Sequence, residues 1–267
     1  MDDTTRIGEV NIAWEEHGRG PDTLVLVHGF TGARIDFEDH LVGLSESRRV
    51  IAADHRGHGD STNFGTTEAY SLEILANDLL AFLEEVAEGP VDLLGHSMGG
   101  MVALRCALLR PAMFRSLVLM DTAAESLGGD GLPSGLDRLV RSQGLLAMNR
   151  KMPPLPESRR MREIFGDAWF EANQESRLSR MDPEAFIALF PEVFGGPSLL
   201  DRLGEIRIPT TVMVGAEDTA FVPAAVHLAE GIAGARLERI ENAWHSPQRT
   251  HPEIWRSLVE RHLRERA

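Results

Sequence analysis

Short apolar runs alternate with helical segments along most of the chain, and this alternation is the feature that most constrains its fold. The segments Leu72–Val86 and Met98–Leu109 carry apolar residues at helical spacing. Most of the short runs have continuous apolar centres, which is typical of strands buried on both faces. Strands and helices in alternation predict a parallel sheet covered on both sides. The predicted strands are residues 23–28, 49–54, 91–96, 116–121, 210–215 and 235–241.

The residues ahead of the first run follow a different pattern. Val10, Ile12 and Trp14 alternate with polar residues. A period of two indicates a strand with one face on the core and the other in water. We therefore expect an antiparallel edge strand here.

The regular alternation stops between residues 125 and 203, where glycines and prolines separate helical pieces. We interpret this segment as an inserted helical cap, with residues 1–124 and 204–267 forming the core domain. One cap helix is expected to begin after Asp182, because an N-cap residue is followed there by Pro183. Several large apolar residues are candidates to line a substrate pocket, although packing of the cap explains any one of them equally well: Met148, Phe165, Trp169 and Phe190, with Trp244 from the core.

Gly95-His96-Ser97-Met98-Gly99 follows a predicted buried strand and opens a predicted helix. In this context a G-x-S-x-G match indicates a turn that exposes the serine hydroxyl at the carboxyl end of a sheet. Ser97 is therefore the candidate nucleophile. An earlier strand ends at His28-Gly29-Phe30, and we expect the backbone N–H groups of Phe30 and Met98 to bind the oxyanion of an acyl-transfer reaction.

Five segments in this order resemble the α/β-hydrolase superfamily: HGFTG (28–32), DHRGHGDS (54–61), GHSMGG (95–100), GAED (215–218) and a late histidine. The resemblance spans nearly the whole chain. It implies an α/β fold with an eight-stranded, mostly parallel sheet, an inserted cap, and a triad in the order nucleophile, acid, histidine.

The triad histidine is predicted from its position in the chain. His245 directly follows the last predicted strand, whereas the other late histidines lie in or beside helices. The family often has glycine before this histidine, and here the residue is Trp244. The predicted acid is Asp218, in the loop after residues 210–215, where a carboxylate can orient the imidazole. Asp121, which ends the preceding strand, is the alternative acid.

Composition narrows the class of partner. The chain has 41 acidic and 27 basic residues, a formal charge of -14, so nucleic acid would be repelled on average. No apolar run reaches the length of a membrane span, and the first ten residues contain no apolar signal segment, so we expect a cytoplasmic protein. Cys106 is the only cysteine, which excludes an internal disulfide. The sequence does not indicate an oligomeric state.

No metal or cofactor is predicted. Asp54, His55, His58 and Asp60 are clustered, but their spacing suits metal ligands poorly. By the family match, Asp54 and Arg56 shape the loop through hydrogen bonds. A strand-linked G-x-G-x-x-G or Walker sequence is absent, which gives no support for a nucleotide cofactor.

The predicted function is a serine hydrolase that cleaves a carboxylic ester, or a related acyl bond, of an apolar or uncharged small molecule through an acyl-enzyme on Ser97. Serine at this position disfavours dehalogenases and epoxide hydrolases, which use a carboxylate nucleophile. Carbon-carbon bond hydrolases of ring-cleavage products resemble the chain but usually have Gly-Pro-Gly after the first HG and asparagine before the serine. The lyases of menaquinone biosynthesis typically have arginine where this chain has Met101. Both classes remain as alternatives, the carbon-carbon bond hydrolase first, together with enol-lactonases, cofactor-free perhydrolases and, last, a non-catalytic ligand receptor.

Overall fold

An eight-stranded sheet forms the centre of the protein, for which a computed structural model describes residues 2–129, 131–154 and 156–266. The strand order is β1-β2-β4-β3-β5-β6-β7-β8. The pairs β1–β2 and β2–β4 are antiparallel, and the remaining pairs are parallel. The mostly parallel eight-stranded sheet is therefore confirmed. Its strands are β1 (Asp2–Ile7), β2 (Val10–His17), β3 (Thr23–Val27), β4 (Arg49–Ala53), β5 (Val91–His96), β6 (Phe114–Met120), β7 (Thr210–Gly215) and β8 (Arg236–Ile240).

The outermost strand at the amino-terminal side of the sheet is β1, which the sequence pattern did not predict. β2 pairs with β1 on one side and with β4 on the other, so the expectation that β2 is an edge strand is wrong. The side chains of β2 do follow the predicted pattern, since Val10, Ile12 and Trp14 are all buried. β1 was missed because it is rich in polar residues, and polar edge strands resist pairing with other chains.

Helices cover both faces of the sheet, as the alternating pattern predicted. Alternate residues of β3 belong to two separate apolar clusters: Val25 and Val27 to one, Leu24 and Leu26 to the other. The first cluster includes side chains of α2, α3 and α8, and the second includes side chains of α1 and α10. These helices are α1 (Glu38–Leu44), α2 (Leu72–Val86), α3 (Met98–Leu109), α8 (Val222–Gly231) and α10 (Pro252–Glu265).

The chain between β6 and β7 contains the helices α4 (Leu136–Lys151), α5 (Pro156–Phe165), α6 (Asp167–Leu178) and α7 (Pro183–Gly195). They lie within the segment interpreted as a cap, whose boundaries at residues 125 and 203 stay a prediction. A short helix, α9 (Pro247–Thr250), follows β8. Among the described residues, no helix is both long and apolar enough to cross a membrane.

Asp182 connects the cap helices to the core and begins α7, as predicted from its N-cap sequence. Its buried carboxylate accepts a hydrogen bond from the backbone N–H of Glu184 at 2.9 Å. The same carboxylate accepts hydrogen bonds from the Tyr70 hydroxyl at 2.5 Å and from the Gly65 N–H at 2.7 Å, both in the core. One side chain thus satisfies three donors, two of them across the cap–core boundary.

We expect Asp182→Ala to lower the free energy of unfolding by about 2 to 4 kcal/mol, because it removes a helix cap and leaves a buried hydroxyl without its acceptor. Urea unfolding followed by circular dichroism measures this loss. Asp137→Ala is the control: this acid, on cap helix α4, pairs with Arg141 at 3.5 Å in solvent, and its loss should cost less than about 0.5 kcal/mol. Equal losses in the two variants would contradict this account of Asp182.

Candidate functional site

Ser97 lies in a tight turn between β5 and α3. Its backbone has φ 53° and ψ -118°, a left-handed conformation that non-glycine residues rarely adopt. The turn is packed closely against β3: a Cβ atom at Gly99 would lie 2.5 Å from the carbonyl oxygen of Val27. Only glycine fits at residue 99 without displacing that strand. The conformation of Ser97 is therefore held by its neighbours, as it is in a nucleophile turn.

A continuous hydrogen-bonded chain joins the three predicted triad residues. The Nε2 atom of His245 lies 3.0 Å from the Ser97 Oγ atom, and its Nδ1 atom lies 2.6 Å from Oδ2 of Asp218. An ionised carboxylate only accepts hydrogen bonds, so Nδ1 carries the proton and Nε2 is free to accept from the serine hydroxyl. Asp218 follows β7 and His245 follows β8, and the parallel order of these strands brings both loops to the carboxyl edge of the sheet beside Ser97.

The electrostatic surroundings of His245 favour its protonated form. Burial lowers the pKa of His245, but the hydrogen bond and charge of Asp218 and the charge of Glu157 outweigh that effect, so the pKa lies above the ordinary 6.5. The ring of Phe221 packs on the imidazole, with centroids 4.6 Å apart. Neither Phe221 nor Glu157 was identified from the sequence, because no motif or spacing links either residue to a distant histidine.

Asp121, the alternative acid, lies behind Asp218. Its Oδ1 atom accepts a hydrogen bond from the Gly215 N–H at 2.8 Å, while its buried Oδ2 atom has no partner among the described residues. Burial and the nearby charge of Asp218 raise the pKa of Asp121 well above its usual range. Asp218, and not Asp121, is the carboxylate that forms a hydrogen bond with the imidazole of His245.

Asp121, Asp218 and His245 form the one group of potential metal ligands found within the described ranges, with ligand atoms within 4.8 Å of one another. The nitrogen of His245 that faces these acids already donates to Asp218, so the grouping is accounted for by hydrogen bonding.

Asp54 accepts hydrogen bonds from the backbone N–H groups of Arg34 at 2.6 Å and Asp60 at 3.0 Å. This is the loop-shaping role that the resemblance implied for Asp54.

His96, directly before the nucleophile, forms a hydrogen bond with the loop that carries His245. Its Nε2 atom lies 2.7 Å from the backbone carbonyl oxygen of His245, to which it donates a hydrogen bond. Burial is the main cause that lowers its pKa to about 3, so the ring is neutral. His96 thus supports the His245 loop.

The two predicted oxyanion donors flank Ser97. Met98 is the first residue of α3, where a backbone N–H has no partner inside the helix. Phe30 follows Gly29, and a Cβ atom at Gly29 would lie 3.0 Å from the Cβ atom of Ser97, so this loop passes directly beside the serine. In the described part of the chain neither N–H donates to an acceptor. The role of both groups in catalysis stays a prediction.

The predicted pocket residues fall in different places. Phe190 contacts Phe30, with ring centroids 6.2 Å apart. Phe165 and Trp169 stack on each other at 4.2 Å, and Trp169 lies over the guanidinium of Arg249, so this pair joins two cap helices to α9. The side chain of Met148 is buried, whereas Trp244 is half-buried with its carbonyl against Gly215. Phe190 contacts Phe30, whose loop passes beside Ser97, and Trp244 directly precedes His245. All five remain predictions as pocket residues.

The chain is 31% identical over 254 residues to Karrikin insensitive 2 receptor IA of Petunia hybrida, covering 92% of each chain. It is 31% identical over 269 residues to a 2-hydroxy-6-oxononadienedioate/2-hydroxy-6-oxononatrienedioate hydrolase of Escherichia coli, covering 94% of this chain and 90% of the relative. The structure of a thermophilic esterase from Thermogutta terrifontis matches with a TM-score of 0.82 and 26% identity, covering 99% of this chain and 98% of that one. A model of the alpha/beta hydrolase family matches residues 24–256, and the chain therefore belongs to the alpha/beta hydrolase family.

Proposed function

We propose that this protein is a serine hydrolase that cleaves a carboxylic ester or a related acyl bond through an acyl-enzyme on Ser97. The family and its relatives support hydrolysis in general. The observation that carries the finer proposal is the chain of hydrogen bonds from Ser97 through His245 to Asp218, at 3.0 Å and 2.6 Å. A serine hydroxyl becomes an effective nucleophile when an oriented imidazole accepts its proton.

The reaction has two halves. In the first, the Ser97 oxygen attacks the acyl carbon while His245 Nε2 accepts the hydroxyl proton, and the N–H groups of Phe30 and Met98 bind the oxyanion. The tetrahedral species then collapses, and His245 returns the proton to the departing alkoxide. In the second half, water attacks the acyl-enzyme by the same route and releases the carboxylic acid. The net reaction consumes one water and needs no redox partner.

The surroundings of Phe30 favour an apolar or uncharged substrate. Its ring stacks on Phe186 at 5.0 Å and contacts Phe194 edge-on at 6.2 Å, in addition to its contact with Phe190. These cap side chains present aromatic surface next to a proposed oxyanion donor. The overall charge of -14 also disfavours polyanionic ligands.

A second candidate is a ligand receptor that retains the nucleophile but turns substrate over slowly or not at all. The observation in its favour is that the Petunia receptor and the Escherichia coli hydrolase are each 31% identical in sequence to this chain. Lactone hydrolysis, perhydrolysis, carbon-carbon bond hydrolysis and the lyase reaction would use the same Ser97 and His245. They differ from ester cleavage in the bond that is broken or in the acceptor, which is peroxide in perhydrolysis, and a panel of substrates and acceptors with product analysis separates them.

We expect Ser97→Ala to reduce kcat for p-nitrophenyl esters by about a millionfold, since the variant loses the attacking atom. The same variant should lose labelling by a fluorophosphonate probe. Ser257→Ala, at an exposed serine on α10, is the matched control and should retain both activities. Ester turnover that persists in Ser97→Ala would refute the mechanism, and labelling of the wild-type protein without turnover would favour the receptor.

Two conservative variants distinguish the triad acid. Asp218→Asn should lower kcat by about 10⁴-fold, because an amide facing Nδ1 favours the tautomer that cannot accept the serine proton. Asp121→Asn preserves the side-chain shape and the oxygen that accepts from the Gly215 N–H, and Asp218 rather than Asp121 holds the imidazole, so we expect a loss below about tenfold. Steady-state kinetics with one ester compares them. The reverse order of losses would identify Asp121 as the triad acid.

The pH profile follows from the raised pKa of His245. Attack requires the unprotonated imidazole, so kcat/KM for a neutral ester should fall as pH decreases through that pKa and level off above it. Its half-maximum should lie above pH 6.5, because Asp218 and Glu157 raise the pKa beyond this ordinary value. Initial rates from pH 5 to 9 measure the profile, and a midpoint at or below pH 6.5 would contradict the electrostatic account.

A further inference from the structure

Helix α5 of the cap directs a carboxylate onto the loop that carries His245. The Oε1 atom of Glu157, in the first turn of α5, accepts a hydrogen bond from the backbone N–H of Ser246 at 2.5 Å. Ser246 directly follows His245, and α5 packs against α9, which begins at the next residue. Glu157 therefore fixes the loop at the position next to the catalytic base, from the side of the cap.

The surroundings of the Glu157 carboxylate disfavour its ionised form. Glu157 is half-buried, and its pKa is raised, first by burial and also by the charge of Asp218. Asp121, on the far side of Asp218, is a third acid in the same patch. In the parts of the chain described here, no arginine or lysine forms an ion pair with Glu157; Arg160, on the same helix, pairs with Glu163, and Arg249 of α9 pairs with Asp39.

The charge of His245 offsets this destabilisation of the ionised Glu157 carboxylate. Its charge lowers the pKa of Glu157, and the charge of Glu157 in turn raises the pKa of His245. The other groups that face His245 do not replace this interaction: Asp218 holds its Nδ1 nitrogen, and His96 is neutral. The attraction between Glu157 and the imidazole is strongest when the imidazole is protonated, which is its state after it has accepted the serine proton.

We propose that Glu157 is a positioning residue for His245, which holds the base-bearing loop through Ser246 and stabilises the imidazolium formed during acyl transfer, so that full activity requires α5 to be docked on the core. The proposal rests on the proposed function for its kinetic consequence. Its electrostatic part concerns His245 alone and holds for a catalyst or a receptor.

Two substitutions separate the charge of Glu157 from its hydrogen bond. Glu157→Gln keeps an oxygen that accepts from Ser246 and removes the charge, whereas Glu157→Ala removes both. Glu163→Gln is the matched control, because Glu163 is an exposed acid on the same helix whose described partner is Arg160. All three are made in the full-length protein.

The measurement is the titration of the His245 imidazole by NMR, with its resonance assigned from a His245→Gln variant. We expect the Glu157→Gln midpoint to move to lower pH, while Glu163→Gln matches the wild type. In ester hydrolysis, kcat of Glu157→Gln at alkaline pH should fall roughly three- to tenfold, because the imidazolium loses a neighbouring charge. The acid limb of its kcat/KM profile should move to lower pH. Glu157→Ala should show both effects and a further fall in kcat.

The outcomes are distinct. A titration midpoint for Glu157→Gln equal to that of the wild type would overturn the electrostatic proposal. A loss of kcat in Glu157→Ala but not in Glu157→Gln would then show that Glu157 acts only through its hydrogen bond to Ser246. A displaced midpoint in a protein that hydrolyses no ester would support the role of Glu157 and reject the proposed function. A folded state for each variant is verified by circular dichroism, and Glu157→Gln, which keeps its hydrogen bond, preserves the test if Glu157→Ala does not fold.

Discussion

The close packing of the serine turn against β3 is the constraint on which the site depends. With no side chain at Gly99, α3 begins directly against the end of that strand. Two consequences follow from this contact. Ser97 is held in a left-handed conformation, and the loop that carries Phe30 is brought beside the serine. A larger residue at the same point would separate the nucleophile from a proposed oxyanion donor, even if every polar residue of the site were retained.

Electrostatics at the carboxyl edge of the sheet is organised around a single imidazole. Asp121, Asp218 and Glu157 lie near His245 on three segments: the residue after β6, the loop after β7 and the cap. Burial and the charge of Asp218 raise the pKa of Asp121 well above its usual range, which disfavours three ionised acids in one partly buried patch. Asp218 orients the imidazole ring of His245, and Glu157 contributes its charge from cap helix α5. The three carboxylates differ in their burial and in their hydrogen-bond partners. Two of them, Asp218 and Glu157, raise the pKa of His245 above its ordinary value.

Motifs and strand patterns predicted the parallel sheet, the turn at Ser97 and the cap helix after Asp182, since each of these is encoded by neighbouring residues. Long-range features were less accessible. β1 has a polar sequence and becomes a strand only because β2 pairs with it. The contact between Glu157 and Ser246 joins residues that are distant in the chain, and no local spacing reports it. The spread of Phe165, Trp169 and Met148 across the cap likewise depends on how the cap helices pack. The cap boundaries and a cytoplasmic location stay predictions.

Phe30 has two attachments that belong to different parts of the molecule. Its main chain runs beside Ser97, while its ring is stacked on Phe186 of α7. A replacement at residue 186 of the cap would therefore also affect the backbone next to Ser97. Cap positions that do not touch the Phe30 ring are therefore freer to change, as the protein acquires new substrates, than the positions that touch it.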